Sequence, residues 1–177
     1  MNTYVALFRG INVGGRNILP MEDLVGILED LGCEKVNTYI QSGNTVFRTE
    51  KNQTKKIAEE ISSTVLESHG FKPKVLILDS SELDEAIENN PFPTEVGKAL
   101  HFFFLESTPA EPDLDGLASA KSDSEEFCLN RNMFYLYAPD GIGRSKLAAK
   151  VEQALGVPAT ARNWNTISKL IAMVNKV

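Results

Sequence analysis

The chain has 177 residues, of which 42% are hydrophobic and 24% are charged, and this balance predicts a folded protein with a sizeable core. No apolar run approaches the roughly 20 residues that a membrane-spanning helix needs. The N-terminal segment lacks the basic stretch of a secretory signal, so we expect a cytoplasmic protein. Cys33 and Cys128 are far apart and belong to no C-x-x-C pair, which argues against a disulfide framework or a zinc site.

The net charge of −6 is unevenly distributed along the chain. Residues 22–140 contain 23 acidic and 10 basic side chains, whereas residues 1–21 contain two arginines and no acid, and residues 141–177 contain six basic side chains and one acid. If the two ends meet in space, they form a positive site on an acidic body, which favours a small anion over a long polyanion. Alternatively, these sparse charges are simply solvated.

The first half of the chain predicts the element order βαββαβ from its hydrophobic periodicity. Pro20 suits the first turn of a helix and Gly32 suits its end. Val36, Thr38 and Ile40 alternate as in a strand, and the polar segment after them predicts a hairpin. The predicted elements are a strand at 3–8, a helix from 20 to 32, strands at 36–40 and 45–49, a helix at 54–68 and a strand at 74–79.

After a short helix at 81–88, where Ser81 and Asp84 have the spacing of a capping box, the same order begins again. The last strand of this second series is the weakest, because Pro158 lies inside its range of 157–161 and restricts it to an edge or an irregular segment. The other elements are a strand at 101–106, a helix at 113–120, strands at 125–130 and 133–138, a helix at 145–155, and a closing helix with an apolar stripe at Ile167, Leu170, Ile171 and Val174.

The order predicts an α+β fold of two ferredoxin-like βαββαβ halves, with antiparallel or mixed sheets and helices packed on one face. The irregular sequence NNPFPTEVG at 89–97 indicates the boundary between the halves. We therefore expect an N-terminal α+β subdomain at 1–92 and a C-terminal α+β subdomain with a terminal helix at 93–177.

The sequence RGINVGGRN, at 9–17, is the most unusual segment, and it lies between a strand and a helix. Its glycines allow close approach of the backbone to a ligand, and its arginines would attract an anion. It lacks the lysine and the Ser/Thr of a P-loop, and it has no G-x-G-x-x-G fingerprint. The glycines alternatively only shape a turn. The candidate ligand-binding residues of the segment are Arg9, Gly10, Asn12, Gly14, Gly15, Arg16 and Asn17.

Three further polar segments provide candidates for the same site. The hairpin tip contributes Gln41, Ser42 and Asn44, although Gly43 and Asn44 are also ordinary turn residues. The segment GIGRSK places Arg144 and Lys146 at the positive end of a helix, where basic groups oppose the helix dipole and suggest a negative partner. The segment TARNWNT opens the last helix, and helix capping and packing of Trp164 compete with ligand binding there. Its candidates are Arg162, Asn163 and Asn165.

No catalytic machinery can be identified in the sequence. His69 and His101 stand alone without acids or cysteines at metal-ligand spacing, and no G-x-S-x-G nucleophile elbow is present. The aromatic strands lack the basic-Gly-aromatic pattern of an RRM. The connection between the last two helices is longer than the turn of a helix-turn-helix motif and contains Pro158. Catalytic residues and cofactors are therefore left unassigned, and no metal site is expected.

Taken together, the strings RGINVGGRN, YIQSGNTVF, GIGRSKL and TARNWNT closely resemble the bacterial family called domain of unknown function 1697, and the similarity extends over essentially the whole chain. The resemblance implies a small cytoplasmic α+β protein built of two subdomains. It supplies no established substrate, cofactor or catalytic residue.

Five of the six arginines lie in or beside these strings, and arginine suits bidentate recognition of phosphate. Our leading hypothesis is that loops from both ends of the chain converge on one cleft that binds a small phosphate-bearing molecule. One alternative is nucleic-acid binding through the same basic ends. Another is a structural or protein-interaction role in which the strings only connect the two halves. A membrane partner is not expected, and the oligomeric state stays open.

Overall fold

The computed structural model describes all residues from 1 to 177 and divides them into two units. Unit 1 comprises Met1–Glu85 and Ser168–Val177, and unit 2 comprises Ala86–Ile167. The last ten residues thus belong to unit 1, where the ammonium of Lys169 lies 5.9 Å from the centroid of the Tyr39 ring. The subdomain limits predicted above, 1–92 and 93–177, stay a prediction. No helix combines the length and the apolar character required to cross a bilayer.

Unit 1 contains an antiparallel sheet of four strands in the order β2-β3-β1-β4. This is the strand order of a ferredoxin-like βαββαβ unit. A third helix follows the last strand and continues into unit 2. The elements are β1 (Asn2–Arg9), α1 (Met21–Asp30), β2 (Glu34–Tyr39), β3 (Asn44–Thr49), α2 (Thr54–His69), β4 (Lys74–Asp79) and α3 (Ser80–Glu88).

The core of unit 1 follows from the two periodicities in its sequence. Tyr4, Ala6 and Phe8 alternate along β1 and are buried on one face of the sheet. The helices bring apolar stripes to the same cluster, with Leu24 and Leu28 one turn apart on α1, and Ile57, Ile61 and Val65 spaced by four on α2. The helices therefore cover one face of the sheet, as predicted.

Two local details of unit 1 differ from the sequence-based prediction. Ile40 was expected to end β2, but it lies in the turn with φ 51° and is 51% exposed. The capping box of α3 is formed by Asp79 and Glu82 rather than by Ser81 and Asp84. The Asp79 carboxylate accepts from the Glu82 amide at 2.8 Å, and the Glu82 carboxylate accepts from the Asp79 amide at 2.9 Å. The cap therefore lies two residues earlier than predicted.

Unit 2 repeats the arrangement, with an antiparallel sheet in the order β6-β7-β5-β8. A helix again follows the last strand, so the repeat is βαββαβα. The elements are β5 (Leu100–Leu105), α4 (Leu114–Ala120), β6 (Glu126–Asn130), β7 (Met133–Tyr137), a 3-10 turn (Ile142–Arg144), α5 (Lys146–Leu155), β8 (Ala159–Asn163) and α6 (Trp164–Val174).

The doubtful last strand exists and lies at the edge of the sheet, where it pairs with β5. It begins two residues later than predicted, so that Pro158 stays outside it. The carbonyl of Pro158 instead accepts a hydrogen bond from the amide of Glu106 at 3.0 Å. Because proline has no N–H to donate to a neighbouring strand, its position before β8 avoids the loss of a hydrogen bond in the sheet.

The core of unit 2 is built from aromatic side chains of the sheet and apolar stripes of α4 and α5. Phe103 and Phe134 meet edge to face with ring centroids 5.6 Å apart, and Leu117, Leu147 and Val151 pack in the same cluster. On β5, Phe102 stacks with Trp164, whose ring centroid is 5.9 Å away. Trp164 thus packs against an aromatic ring, as expected if it is a packing residue.

His101 on β5 is only 7% exposed, and its Nε2 donates to the carbonyl of Lys98 at 3.0 Å. A carbonyl can only accept, so Nε2 carries the hydrogen of the neutral ring. Burial lowers the pKa of His101 below 6.5, and the hydrogen bond to Lys98 offsets only part of that effect. The folded chain therefore holds His101 in its neutral form at a pH where the unfolded chain takes up a proton.

We expect this histidine to make the protein less stable as the pH falls below about 6.5, because there the unfolded state binds a proton that the folded state does not. His101→Gln keeps an N–H donor but cannot titrate, so it should lose less stability between pH 7 and pH 5 than the wild type. Urea unfolding of both proteins at each pH measures the difference. Equal losses would show that His101 takes no part in the pH dependence.

Candidate functional site

The segment from Gly10 to Asn17 in unit 1 is a miniature hairpin. The amide of Arg16 donates to the carbonyl of Val13 at 3.0 Å, and the two residues between them, Gly14 and Gly15, have φ values of 58° and 73°. Two consecutive left-handed residues are the requirement of a type I′ turn, which glycine meets at no steric cost. The turn conformation therefore explains the presence of Gly14 and Gly15.

Asn12 holds this hairpin to its surroundings through both ends of its side-chain amide. Its Nδ2 donates to the carbonyls of Leu19 at 2.9 Å and Gln41 at 2.8 Å, and its Oδ1 accepts from the amide of Leu19 at 2.8 Å. Asn17 adds a bond from its Nδ2 to the carbonyl of Gly10 at 2.9 Å. Both asparagines are thus used to shape the loop, while Arg16 at its tip stays exposed.

The hairpin tip between β2 and β3 is also internally bonded. Asn44 is fully buried, and its Nδ2 donates to the carbonyl of Tyr39 at 3.1 Å and to the Ser42 hydroxyl at 2.9 Å. Gly43 has a φ of 76°, and a Cβ there would lie 2.6 Å from the Cβ of Phe8. These contacts agree with the interpretation of Gly43 and Asn44 as turn residues.

In unit 2, the candidates around the start of α6 also have structural partners. The Oδ1 of Asn163 accepts from the amide of Thr166 at 3.0 Å, which caps the helix. Asn165 lies so close to Gly97 that a Cβ on that glycine would collide with its side-chain oxygen. Arg162 donates from Nη1 to the carbonyl of Ala161 at 2.8 Å, and burial lowers its pKa to about 10. It stays charged at neutral pH.

A cavity of about 530 Å³ lies beside the first turn of α5 in unit 2. We call it the α5 pocket. Its walls come from the end of α4, the chain before β6, and the segment that leads from β7 into α5. Four basic side chains line it, namely Lys121, Arg144, Lys146 and Lys150, together with the acids Glu125 and Asp140. Basic groups therefore outnumber acidic ones in a chain that is acidic as a whole.

Glu125 is only 4% exposed and fixes the start of α5. Its carboxylate accepts hydrogen bonds from the Ser145 hydroxyl and, at 2.9 Å, from the Ser122 amide. Burial alone would raise the pKa of Glu125, but the bonds from Ser145 and Ser122 and the charge of Lys121 outweigh burial and lower it. The side chain is therefore an ionised carboxylate at neutral pH.

Ser145 joins this carboxylate to the helix. While its hydroxyl donates to Glu125, its oxygen accepts from the amide of Ala148 at 3.0 Å, so that Ser145 is the N-cap of α5. The ammonium of Lys121 donates to the carbonyls of Glu125 at 2.9 Å and Ser122 at 3.3 Å. Both sides of the pocket are thus held by hydrogen bonds.

Arg144, Lys146 and Lys150 are exposed, and none of the three takes part in an ion pair. Lys146 and Lys150 lie at i and i+4 on α5, so their side chains share one face and repel each other. Arg144 and Lys146 also oppose the positive end of the helix dipole. One buried acid, Glu125, offsets part of this charge. The arrangement presents unpaired cations to a concave surface.

Of the site residues predicted from the sequence, Arg144 and Lys146 line this pocket. Sequence reasoning missed Lys121, Glu125 and Lys150. Lys150 could have been identified from the sequence, because it lies four residues after Lys146 and therefore on the same face of the helix. No local sequence pattern indicates that Glu125 is buried. The other candidates lie outside the pocket, with Arg9, the 10–17 loop and the 41–44 tip in unit 1. No group of His, Cys, Asp and Glu side chains is arranged to hold a metal ion.

We expect Ser145→Ala to destabilise unit 2, because it removes the cap of α5 and a hydrogen bond to a buried carboxylate. The loss should be about 2 kcal/mol or more, measured by urea unfolding at pH 7. Ser119→Ala is the matched control, since its hydroxyl is exposed and bonds only the carbonyl of Asp115. A similar small loss in both variants would contradict the structural importance of the Ser145–Glu125 bond.

The fold and the site define a class of protein: an α+β protein of two ferredoxin-like units with a basic pocket in the second unit. The family model "Protein of unknown function (DUF1697)" matches residues 1–135. The chain belongs to that family, as the resemblance indicated, and the matched residues include the motifs RGINVGGRN and YIQSGNTVF. It is also similar to the solved structure of the conserved bacterial protein SP0830 from Streptococcus pneumoniae, with 25% identity over 98% of each chain and a TM-score of 0.67. No curated protein matches the sequence.

Proposed function

We propose that the protein binds a small phosphate-bearing molecule in the α5 pocket. The observation that carries the proposal is the presence of three exposed cations without ion-pair partners, Arg144, Lys146 and Lys150, around a cavity of about 530 Å³. Pockets for small ligands typically have volumes of about 300–1,000 Å³. Cations gathered around such a cavity favour an anionic ligand over a neutral one.

The balance of charge in the pocket favours a dianion. Its four basic and two acidic side chains leave a surplus that a phosphate monoester neutralises, since the ester carries nearly two negative charges at pH 7. Arg144 offers a planar donor fork suited to two phosphate oxygens, and the lysines add point charges. The charge of the lining and the donor groups of Arg144 thus support a phosphate-bearing ligand.

A long nucleic acid fits this site less well than a small molecule. The acids Glu125 and Asp140 lie among the cations and would repel the successive phosphates of a polymer, whereas a single phosphate can be placed away from them. Arg16 and the other motif residues of unit 1 remain candidate ligand-binding residues from the sequence. The proposed site uses residues of unit 2 alone and does not require these loops to converge with those of unit 2.

Binding of inorganic phosphate, measured by calorimetry at low salt, tests the proposal. Arg144→Ala should weaken binding about tenfold or more, because a charge-assisted hydrogen bond is worth about 1.5–3 kcal/mol. Lys98→Ala is the matched control, since it removes an exposed cation of the same unit outside the pocket. Absence of phosphate binding by the wild type, or equal weakening by both variants, would refute the α5 pocket as the site. If an oligonucleotide instead bound more tightly than inorganic phosphate, with an affinity that fell steeply with salt, the result would indicate nucleic-acid binding.

Lys150→Glu provides a second test that separates binding from folding. The change converts a like-charge pair with Lys146 into an opposite-charge pair, so the ligand-free protein should become more stable by about 0.5 kcal/mol. Phosphate binding should be lost at the same time. Urea unfolding and calorimetry measure the two effects. If the variant instead lost more than about 1 kcal/mol of stability, Lys150 would be a structural residue rather than a binding one.

A further inference from the structure

A second cavity, of about 310 Å³, lies on the surface formed by α4 and α5. It is lined by Asp113, Gly116, Lys150, Gln153 and Ala154. Lys150 also lines the α5 pocket, so the two cavities are neighbours on either side of one side chain. A ligand anchored beside Lys150 in the first cavity can extend into the second.

The two helices run antiparallel, and both cavities lie along this helix pair with Lys150 in the lining of each; we call the surface that they share the groove. The amide of Asp113, at the start of α4, donates to the carbonyl of Ala154, near the end of α5, at 2.8 Å. At the other end, Ser119 and Ala120 of α4 and Lys146 of α5 line the first cavity together. From Lys146 to Gln153 the groove extends about 10 Å along α5, at 1.5 Å per residue.

The side chains of the groove suit hydroxyl groups. The Gln153 amide can both donate and accept, and the Asp113 carboxylate keeps acceptor capacity after capping Gly116 at 2.9 Å. Neither cavity has an aromatic ring in its lining, so a nucleobase would find no stacking surface. The only aliphatic residue in the lining of the second cavity is Ala154, which offers little apolar surface to an acyl chain.

We propose that the ligand is a phosphorylated sugar or polyol, with its phosphate in the α5 pocket and its hydroxyl groups between Asp113 and Gln153. This inference rests on the proposed function and narrows its ligand class. The length of the groove matches a five- or six-carbon phosphate ester. Each hydroxyl that bonds Asp113 or Gln153 replaces a hydrogen bond to water, so it adds a modest net affinity beyond that of the phosphate itself, and the bond to the charged Asp113 adds more.

Calorimetry with four probes at constant low salt tests the inference: inorganic phosphate, glucose 6-phosphate, ribose 5-phosphate and adenosine 5′-monophosphate. At least one of the sugar phosphates should bind the wild type about tenfold more tightly than inorganic phosphate, or about 1.4 kcal/mol. Adenosine 5′-monophosphate should bind more weakly than the better sugar phosphate.

Two variants locate the preference in the second cavity. Gln153→Ala and Asp113→Asn should each reduce the ratio of the sugar-phosphate affinity to the inorganic-phosphate affinity. Gln153→Ala should leave the affinity for inorganic phosphate unchanged, whereas Asp113→Asn removes a negative charge near Lys150 and should not weaken it. Asparagine still caps α4, so the second variant removes the charge without removing the cap. Gln53→Ala in unit 1 is the matched control and should change neither affinity.

The outcomes distinguish this inference from the proposed function. If inorganic phosphate binds but neither sugar phosphate binds more tightly, or if adenosine 5′-monophosphate binds as tightly as they do, the sugar-phosphate class is wrong and the phosphate site stands. A preference that survives both Gln153→Ala and Asp113→Asn overturns the assignment of the second cavity. If no phosphate-bearing probe binds, the proposed function fails, and this inference fails with it.

Discussion

The hydrogen bond between Ser145 and Glu125 is the interaction on which the basic pocket depends. It joins the first turn of α5 to the chain before β6, so that two segments distant in sequence face each other across one cavity. Because the serine also caps α5, the positions of Arg144 and Lys146 are set by the same bond. The buried, ionised Glu125 offsets some of the positive charge nearby, which makes a concentration of cations tolerable before any ligand binds.

The duplication shows what is particular to unit 2. In unit 1, the corresponding junction between β3 and α2 has a smaller cavity, of about 190 Å³, lined among others by Lys51, Lys56 and Glu60. There the Lys51 ammonium pairs with the Glu60 carboxylate at 2.5 Å. The same place in the repeated fold thus has an internal ion pair in unit 1, whereas three cations of the α5 pocket in unit 2 make no ion pair. Since the scaffold is the same, the difference belongs to the side chains rather than to the fold.

Local periodicity was sufficient to predict the elements, because each strand or helix buries one face and its sequence records that face. The predicted ends of the elements were wrong where the backbone conformation, rather than the hydrophobic pattern, determines the end of a strand. Ile40 continued the alternation of β2, yet the turn to β3 required a left-handed residue there. The site was less predictable than the fold. Lys121 and Glu125 are close in sequence, but they meet Lys150 of α5 only through strand pairing and helix packing. The glycines and asparagines of unit 1, although prominent in the sequence, shape turns.

The exposed cations around the start of α5 destabilise the free protein, and no contact within the protein compensates for them. Basic groups at the start of a helix cost about 0.3–1 kcal/mol each, and a like-charge pair at i and i+4 costs a few tenths more. The native side chains of Arg144, Lys146 and Lys150 make no ion pair that recovers these costs, and a single lysine-to-glutamate change would relieve part of them. A local charge arrangement that weakens the free protein becomes favourable when an anion occupies the cavity, because the ligand turns each repulsion into an attraction.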